Sequence, residues 1–220
     1  DQALGPVVNP IELNDTWLNV MSELQTDAKY PPLFQKAFGT QTIDSLLVAK
    51  AIAQFERSMV SFNSDYDKYF YDGITTALNA SETNGFNLFF GAAECIHCHS
   101  GPLLSDPSFR NNGLDATFTD LGYGTVTGLS TDIGKFKVTT LRNIAESAPY
   151  MHDGRFATLE DVVEHYNSGV VASSPNLDSE MDHFVGGLNL TPGEIIDLIA
   201  FLHTFSDSTY LNNLNFSDPN

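Results

Sequence analysis

The chain has 220 residues, 42% of them apolar, and carries 28 acidic against 10 basic side chains, a formal charge of −18. That charge excludes a nucleic-acid binder, whose phosphates need a basic face, and points to a docking partner with a basic patch. The longest apolar runs, LLVAKAIA and IIDLIAFL, fall far short of the ~20 residues of a membrane-spanning helix.

The first residues, DQALGPVVNP, carry no signal peptide, although a secreted chain would already have lost its own. NDTWLNVMSELQ is amphipathic, with Asn14 or Asp15 as the expected cap. YPPLFQKAFG opens on prolines and ends on a glycine. The clearest helix follows, from about Thr42 to Met59, with Ile43, Leu46, Leu47, Ile52, Phe55 and Met59 as one apolar stripe. A second helical block is expected over about 80–90, where Asn79 and Glu82 form a capping box and Gly85 and Phe89 share a face.

Cys95, Cys98 and His99 then spell C-x-x-C-H, the pattern of covalent c-type haem attachment. These are the two cysteines of the chain, so thioethers at both leave no disulfide. A zinc half-site would need a second ligand pair, and His152, His165, His183 and His203 are scattered. One covalent haem c is expected, with His99 as proximal ligand. Covalent haem attachment places the chain in the periplasm or outside the cell. His97, between the cysteines, is expected to face solvent.

Residues 100–150 read as long loops with short strands at most, as in GKFKVTTLRN. Thr158 and Asp161 form the next capping box, and Leu159, Val162, Val163 and Tyr166 follow the spacing of one buried helix face. That spacing turns Tyr166 inward and His165 outward. The last helix, residues 191–205, is capped by Thr191 with Pro192 first and Glu194 closing the box. Ile195, Leu198, Ile199 and Leu202 form its stripe. The expected fold is mainly α, a cytochrome c fold with long loops plus an N-terminal helical annex. Its C-terminal helix crosses the pre-haem helix at Gly85. The expected division is 1–78, a helical segment, and 79–220, a c-type cytochrome domain.

GPVVNPIEL, AIAQFERSMVSFNSDYDKY, GFNLFFGAAECIHCHSG, FKVTTLRNIAESAPYMHDGRFATLEDVVEHYNSG and LTPGEIIDLIAFLHTF occur in this order. Together they resemble the C-terminal half of bacterial di-haem cytochrome c peroxidases and the related MauG-type enzymes. The resemblance implies an N-terminal haem domain with its own C-x-x-C-H, which this chain lacks. The chain therefore reads as a fragment, a processed product or one half of a split enzyme. It also implies a haem c oxidoreductase that relays or stores electrons while hydrogen peroxide is reduced at a second haem.

Several side chains are open as the second iron ligand: Met151, His152, His165, Tyr166, Met181 and His183. The resemblance favours Tyr166, the tyrosine of the MauG branch where the peroxidase branch has methionine, with Met151 as runner-up. It further matches Gln2 and Glu12 to catalytic residues at the peroxide pocket of the first haem, with Pro6 beside them. Ser147 and the carbonyl of Pro149 match an inter-domain calcium site. Arg142 is a candidate partner for a haem propionate. The implied partners are a second haem domain or subunit and a small donor, cytochrome or cupredoxin, or else a protein substrate. A homodimer stays open. The alternative function is a non-enzymatic mono-haem electron carrier, or a haem subunit of a larger assembly.

Overall fold

A computed structural model describes residues 1–217, which fall into two compact units, 1–60 and 61–217. In the first unit a 3-10 turn (Gln2–Leu4) precedes α1 (Gly5–Val8), α2 (Trp17–Thr26), α3 (Tyr30–Phe38) and α4 (Ser45–Ser58). The cap of α2 is Thr16, whose hydroxyl accepts the Asn19 N–H at 3.2 Å, one residue later than expected. Asp15 instead accepts from the Asn19 side chain. Asp44 caps α4 through the Leu47 N–H. Phe34, Ile43 and Val48 form the small core, with Trp17, Leu24, Tyr30 and Leu47 packed on it. The stripe expected on α4 is buried only in part. Of its residues Ile43 is buried and Leu47 partly so, while Leu46, Ile52, Phe55 and Met59 are exposed; the buried positions of α4 itself are Val48 and Ala49. A unit of three short helices covers a single face of α4.

The second unit holds α5 (Asp65–Phe70), α6 (Ala80–Phe90), α7 (Tyr123–Thr127), α8 (Leu159–Glu164), α9 (Pro192–His203) and α10 (Ser208–Leu211). Capping boxes start α5 (Ser64 with Asp67), α6 (Asn79 with Glu82), α8 (Thr158 with Asp161) and α9 (Thr191 with Glu194). In each, a side-chain oxygen takes an orphan N–H and an acidic residue returns the bond. The only regular pairing among the described residues is a two-residue ribbon, β1 (Phe109–Arg110) antiparallel to β2 (Phe136–Lys137), with Phe109 opposite Lys137. This is the mainly α, long-looped fold that the sequence predicts. The compact units divide after Val60, and Tyr66 and Leu78 belong to the core of the second.

That core is organised by the crossing of α6 and α9. Gly85 lies so close to α9 that an added Cβ would overlap the Asp197 carbonyl oxygen and stand 2.6 Å from the Phe201 Cβ. The Asp197 carboxylate clamps the crossing by accepting from the Ser81 hydroxyl and, at 3.1 Å, from the Asn84 amide. Below it, the rings of Phe89, Phe201 and Phe205, all fully buried, meet edge-on at 5.0–5.7 Å with Tyr66 beside Phe205.

A backbone oxygen cannot swing away, so Gly85→Ala must push the helices apart. Its unfolding free energy in denaturant titration should fall by about 2–3 kcal/mol. Gly193→Ala, on α9 itself but with no atom closer than 4.0 Å to the added carbon, should be neutral or slightly stabilising. Equal stability of the two variants would contradict the close crossing.

Candidate haem site

Helix α6 ends at Gly91, and Glu94 takes a left-handed backbone (φ +49°) before a 3-10 turn over Cys95–His97. This sharp reversal brings Cys95, Cys98 and His99 to the wall of a cavity of about 670 Å³. The volume lies within the ~300–1,000 Å³ of small-molecule and cofactor sites. The walls are largely apolar, from Phe89 on α6, Leu159 and Val163 on α8, and Leu198 and Leu202 on α9. All of the lining belongs to the second unit.

Nδ1 of His99 lies 3.2 Å from the Leu104 carbonyl oxygen. A carbonyl only accepts, so the proton sits on Nδ1 and Nε2 keeps its lone pair. Burial holds the imidazole pKa below its ordinary value, against hydrogen bonds to the Leu104 and Thr139 backbone. A neutral imidazole with a fixed tautomer is what iron ligation requires. Burial likewise pushes the Cys95 thiol up to about 12, and its S–H donates to the Ala93 carbonyl. Burial raises Cys98 as well. Among the described residues, no group of three or more His, Cys, Asp or Glu side chains converges as a metal cage. The C-x-x-C-H spacing at the wall of this cavity fits thioether attachment of a haem.

Elsewhere on the cavity wall stand Tyr166, Met151 and a residue that the sequence reading passed over, Asn112. The Asn112 amide nitrogen is 3.3 Å from the Tyr166 hydroxyl and 3.5 Å from the Met151 sulfur. Burial raises the Tyr166 phenol pKa, while the Asn112 hydrogen bond pulls it back down. In sequence, Asn112 sits in FRNNG and reads as ordinary turn chemistry, with no signal of a polar group facing a cavity.

The inward face expected on α8 holds for Leu159 and Val163, both buried. It fails at His165, expected outside. There α8 widens into a π-helical turn over His165–Gly169, which changes the angle between successive side chains. His165 is 6% exposed and its Nε2 donates to the Asn112 carbonyl at 3.1 Å. Of the other ligand alternatives, His152, stacked on Phe136 at 3.7 Å, and the buried Met181 also line the cavity, whereas His183 is exposed and outside the lining. His97 is about half exposed, as expected, with Nδ1 3.0 Å from Glu180.

Gln2 and Glu12 lie on the surface of the first unit, Glu12 accepting from the Asn9 amide at 2.7 Å. Ser147 and Pro149 border the haem cavity, and the Ser147 hydroxyl donates to the Ile144 carbonyl.

Arg142 also borders the cavity, and its guanidinium is paired with Asp67. Both terminal nitrogens bind Asp67 at 2.9 Å, and Nε donates to the Pro102 carbonyl at 2.7 Å. The guanidinium carbon stands 4.1 Å from the Phe62 ring centroid. The pair is buried, its side chains 7% and 4% exposed. Burial would push the Asp67 carboxyl up, but hydrogen bonds from Arg142 and Ser64 outweigh it and hold the pKa below the ordinary value.

A carboxyl depressed in the folded state stabilises fully above its unfolded pKa of about 3.9, and that share is lost as pH falls through the lower folded value. The denaturant midpoint should therefore drop below about pH 4, less steeply in Asp67→Asn. Arg142→Leu, which leaves the carboxylate buried and alone, should cost about 3–5 kcal/mol at neutral pH. A wild-type stability that is flat below pH 4 would contradict the pair's role.

A family model described as di-haem cytochrome c peroxidase matches residues 1–75. Methylamine utilization protein MauG of Methylorubrum extorquens is 37% identical over 206 residues, 92% of this chain and 56% of that protein. Cytochrome c551 peroxidase of Nitrosomonas europaea is 38% identical over 168 residues, 74% of this chain and 50% of that one. The chain thus spans about half the length of these curated relatives. The crystal structure of a MauG-like protein associated with microbial copper homeostasis is similar at a TM-score of 0.84 and 33% identity, covering 99% of this chain and 71% of that one. With the C-x-x-C-H turn, the free His99 Nε2 and the apolar cavity, these likenesses show that the chain belongs to the di-haem cytochrome c peroxidase and MauG family.

Proposed function

We propose that this chain is the electron-relaying half of a peroxidase-type oxidoreductase that reduces hydrogen peroxide. The observation that carries the reading is one apolar cavity that gathers Cys95, Cys98, a neutral His99 and the Tyr166 hydroxyl. A covalently held haem there supplies reversible one-electron storage when bound. The chain's own residues do the rest. Cys95 and Cys98 fix the macrocycle through thioethers. The Leu104 carbonyl holds the His99 ring in one tautomer and raises its basicity. Leu159, Val163, Leu198 and Leu202 keep water out.

Tyr166 is the second iron ligand in this proposal. An anionic oxygen donor favours ferric iron and lowers the potential, where Met151 would raise it. Peroxide would be reduced at a second haem domain or subunit, where Glu12 would pass the proton between peroxide oxygens and Gln2 would orient the leaving water. Ser147 and the Pro149 carbonyl contribute to a calcium site completed by that other domain. The donor is a small cytochrome or cupredoxin with a basic patch, complementary to the −18 charge. The tyrosine at 166 also favours a second, MauG-like reading, in which the electrons come from residues of a protein substrate. Covalent haem sets the compartment as the periplasm or cell exterior, and no helix among the described residues is long and apolar enough to cross a membrane.

Expressed with haem-attachment machinery, the chain should retain one haem in denaturing mass spectrometry. Replacing both cysteines by Ser should release it, and a bare polypeptide mass for the unaltered chain would falsify the assignment. In the haem-loaded chain, Tyr166→Phe should convert the optical spectrum from six-coordinate to five-coordinate or water-ligated, while Met151→Leu leaves it in place. Peroxide turnover by this chain alone should be nearly absent and should appear on adding the first haem domain. Robust turnover without it would overturn the division of roles.

A further inference from the structure

We infer that Asn112 is a positioning residue that selects Tyr166 over Met151 as the second ligand of the haem iron. The inference rests on the haem and Tyr166 reading above and adds the device that decides it.

The Asn112 backbone is held on both sides. Its carbonyl accepts from the buried His165 at 3.1 Å. The preceding Asn111, 1% exposed, donates its amide to the Ser174 hydroxyl and the Pro175 carbonyl, and its Oδ1 accepts the Gly113 N–H. Gly113 has a left-handed backbone (φ +72°), and an added Cβ would stand 2.8 Å from a Val170 methyl carbon. The Asn112 side chain is therefore delivered to the cavity wall by a segment with little freedom.

Its amide nitrogen carries two hydrogens and lies within reach of two acceptors, the Tyr166 oxygen at 3.3 Å and the Met151 sulfur at 3.5 Å. Rotating the carboxamide would set its oxygen against the sulfur lone pairs, so the nitrogen belongs on this side. Met151 reaches this point with a left-handed backbone (φ +70°), a conformation that disfavours a side-chain-bearing residue. One donor thus tethers both candidate ligands. The tether is unequal: a hydrogen bond to a charged oxygen is about twice as strong as a neutral one, and a thioether is a weak acceptor. As a ligand, Tyr166 carries the charge that Asn112 stabilises. Met151 is neutral as a ligand, and would have to leave its amide tether to become one.

The test uses the haem-loaded chain and two variants, Asn112→Leu, which removes the donor, and Asn112→Asp, which keeps the size and removes it too. Readouts are the ferric optical and resonance Raman signatures of tyrosinate ligation and the reduction potential. In either variant the methionine-ligated fraction should rise about tenfold or more, with a higher potential, and adding Met151→Leu should abolish that fraction. The parent spectrum and potential in both variants, with Tyr166→Phe still altering the spectrum, would overturn the inference and leave the ligand reading intact. A new species that survives Met151→Leu overturns it as well. If Tyr166→Phe itself leaves the spectrum unchanged, the ligand reading fails first.

Discussion

The contact of α6 with α9 at Gly85 is the constraint on which the haem site depends. Only a residue without a side chain lets the two backbones come this close. The approach sets Phe89 edge-on against Phe201 and Phe205 and presents Leu198 and Leu202 as one wall of the cavity. Helix α6 also aims the chain into the attachment turn. Because α6 is fixed by the crossing, the left-handed Glu94 delivers both cysteines and His99 to that wall rather than to solvent. A shift of α6 along α9 would move all three together.

Around the cavity the polar groups are few and committed. His99 is held by Leu104, Asn112 by His165, and Tyr166 by Asn112. In an apolar site each such bond is stronger than in water, and each unmade one costs more. Two ion pairs stand at the cavity's margin, Arg142 with Asp67 and Arg110 with Asp178.

Local chemistry made much of the fold legible in the sequence. Capping boxes at Asn79, Thr158 and Thr191 mark helix starts because the side-chain bonds that form them span only three residues. C-x-x-C-H is likewise self-contained, and Gly85 stands out as a small residue on an aromatic-rich helix. What escaped depends on partners distant in sequence. Asn112 meets residues 39 and 54 positions away. Arg142 finds Asp67 across 75 positions, a pairing that no local pattern announces. His165 was turned outward by assuming a uniform 3.6-residue helix, and the π-helical turn there breaks the period. The α4 stripe was legible as an apolar face, but periodicity does not say what covers it.

The most direct test of the account is a crystal structure of the haem-loaded chain. It predicts sulfur–carbon bonds at Cys95 and Cys98, His99 Nε2 and Tyr166 Oη bound to the iron, and the Asn112 amide still on the phenolate oxygen. Met151 sulfur or a water at the position assigned to Tyr166, with the Tyr166 ring packed away from the iron, would contradict it.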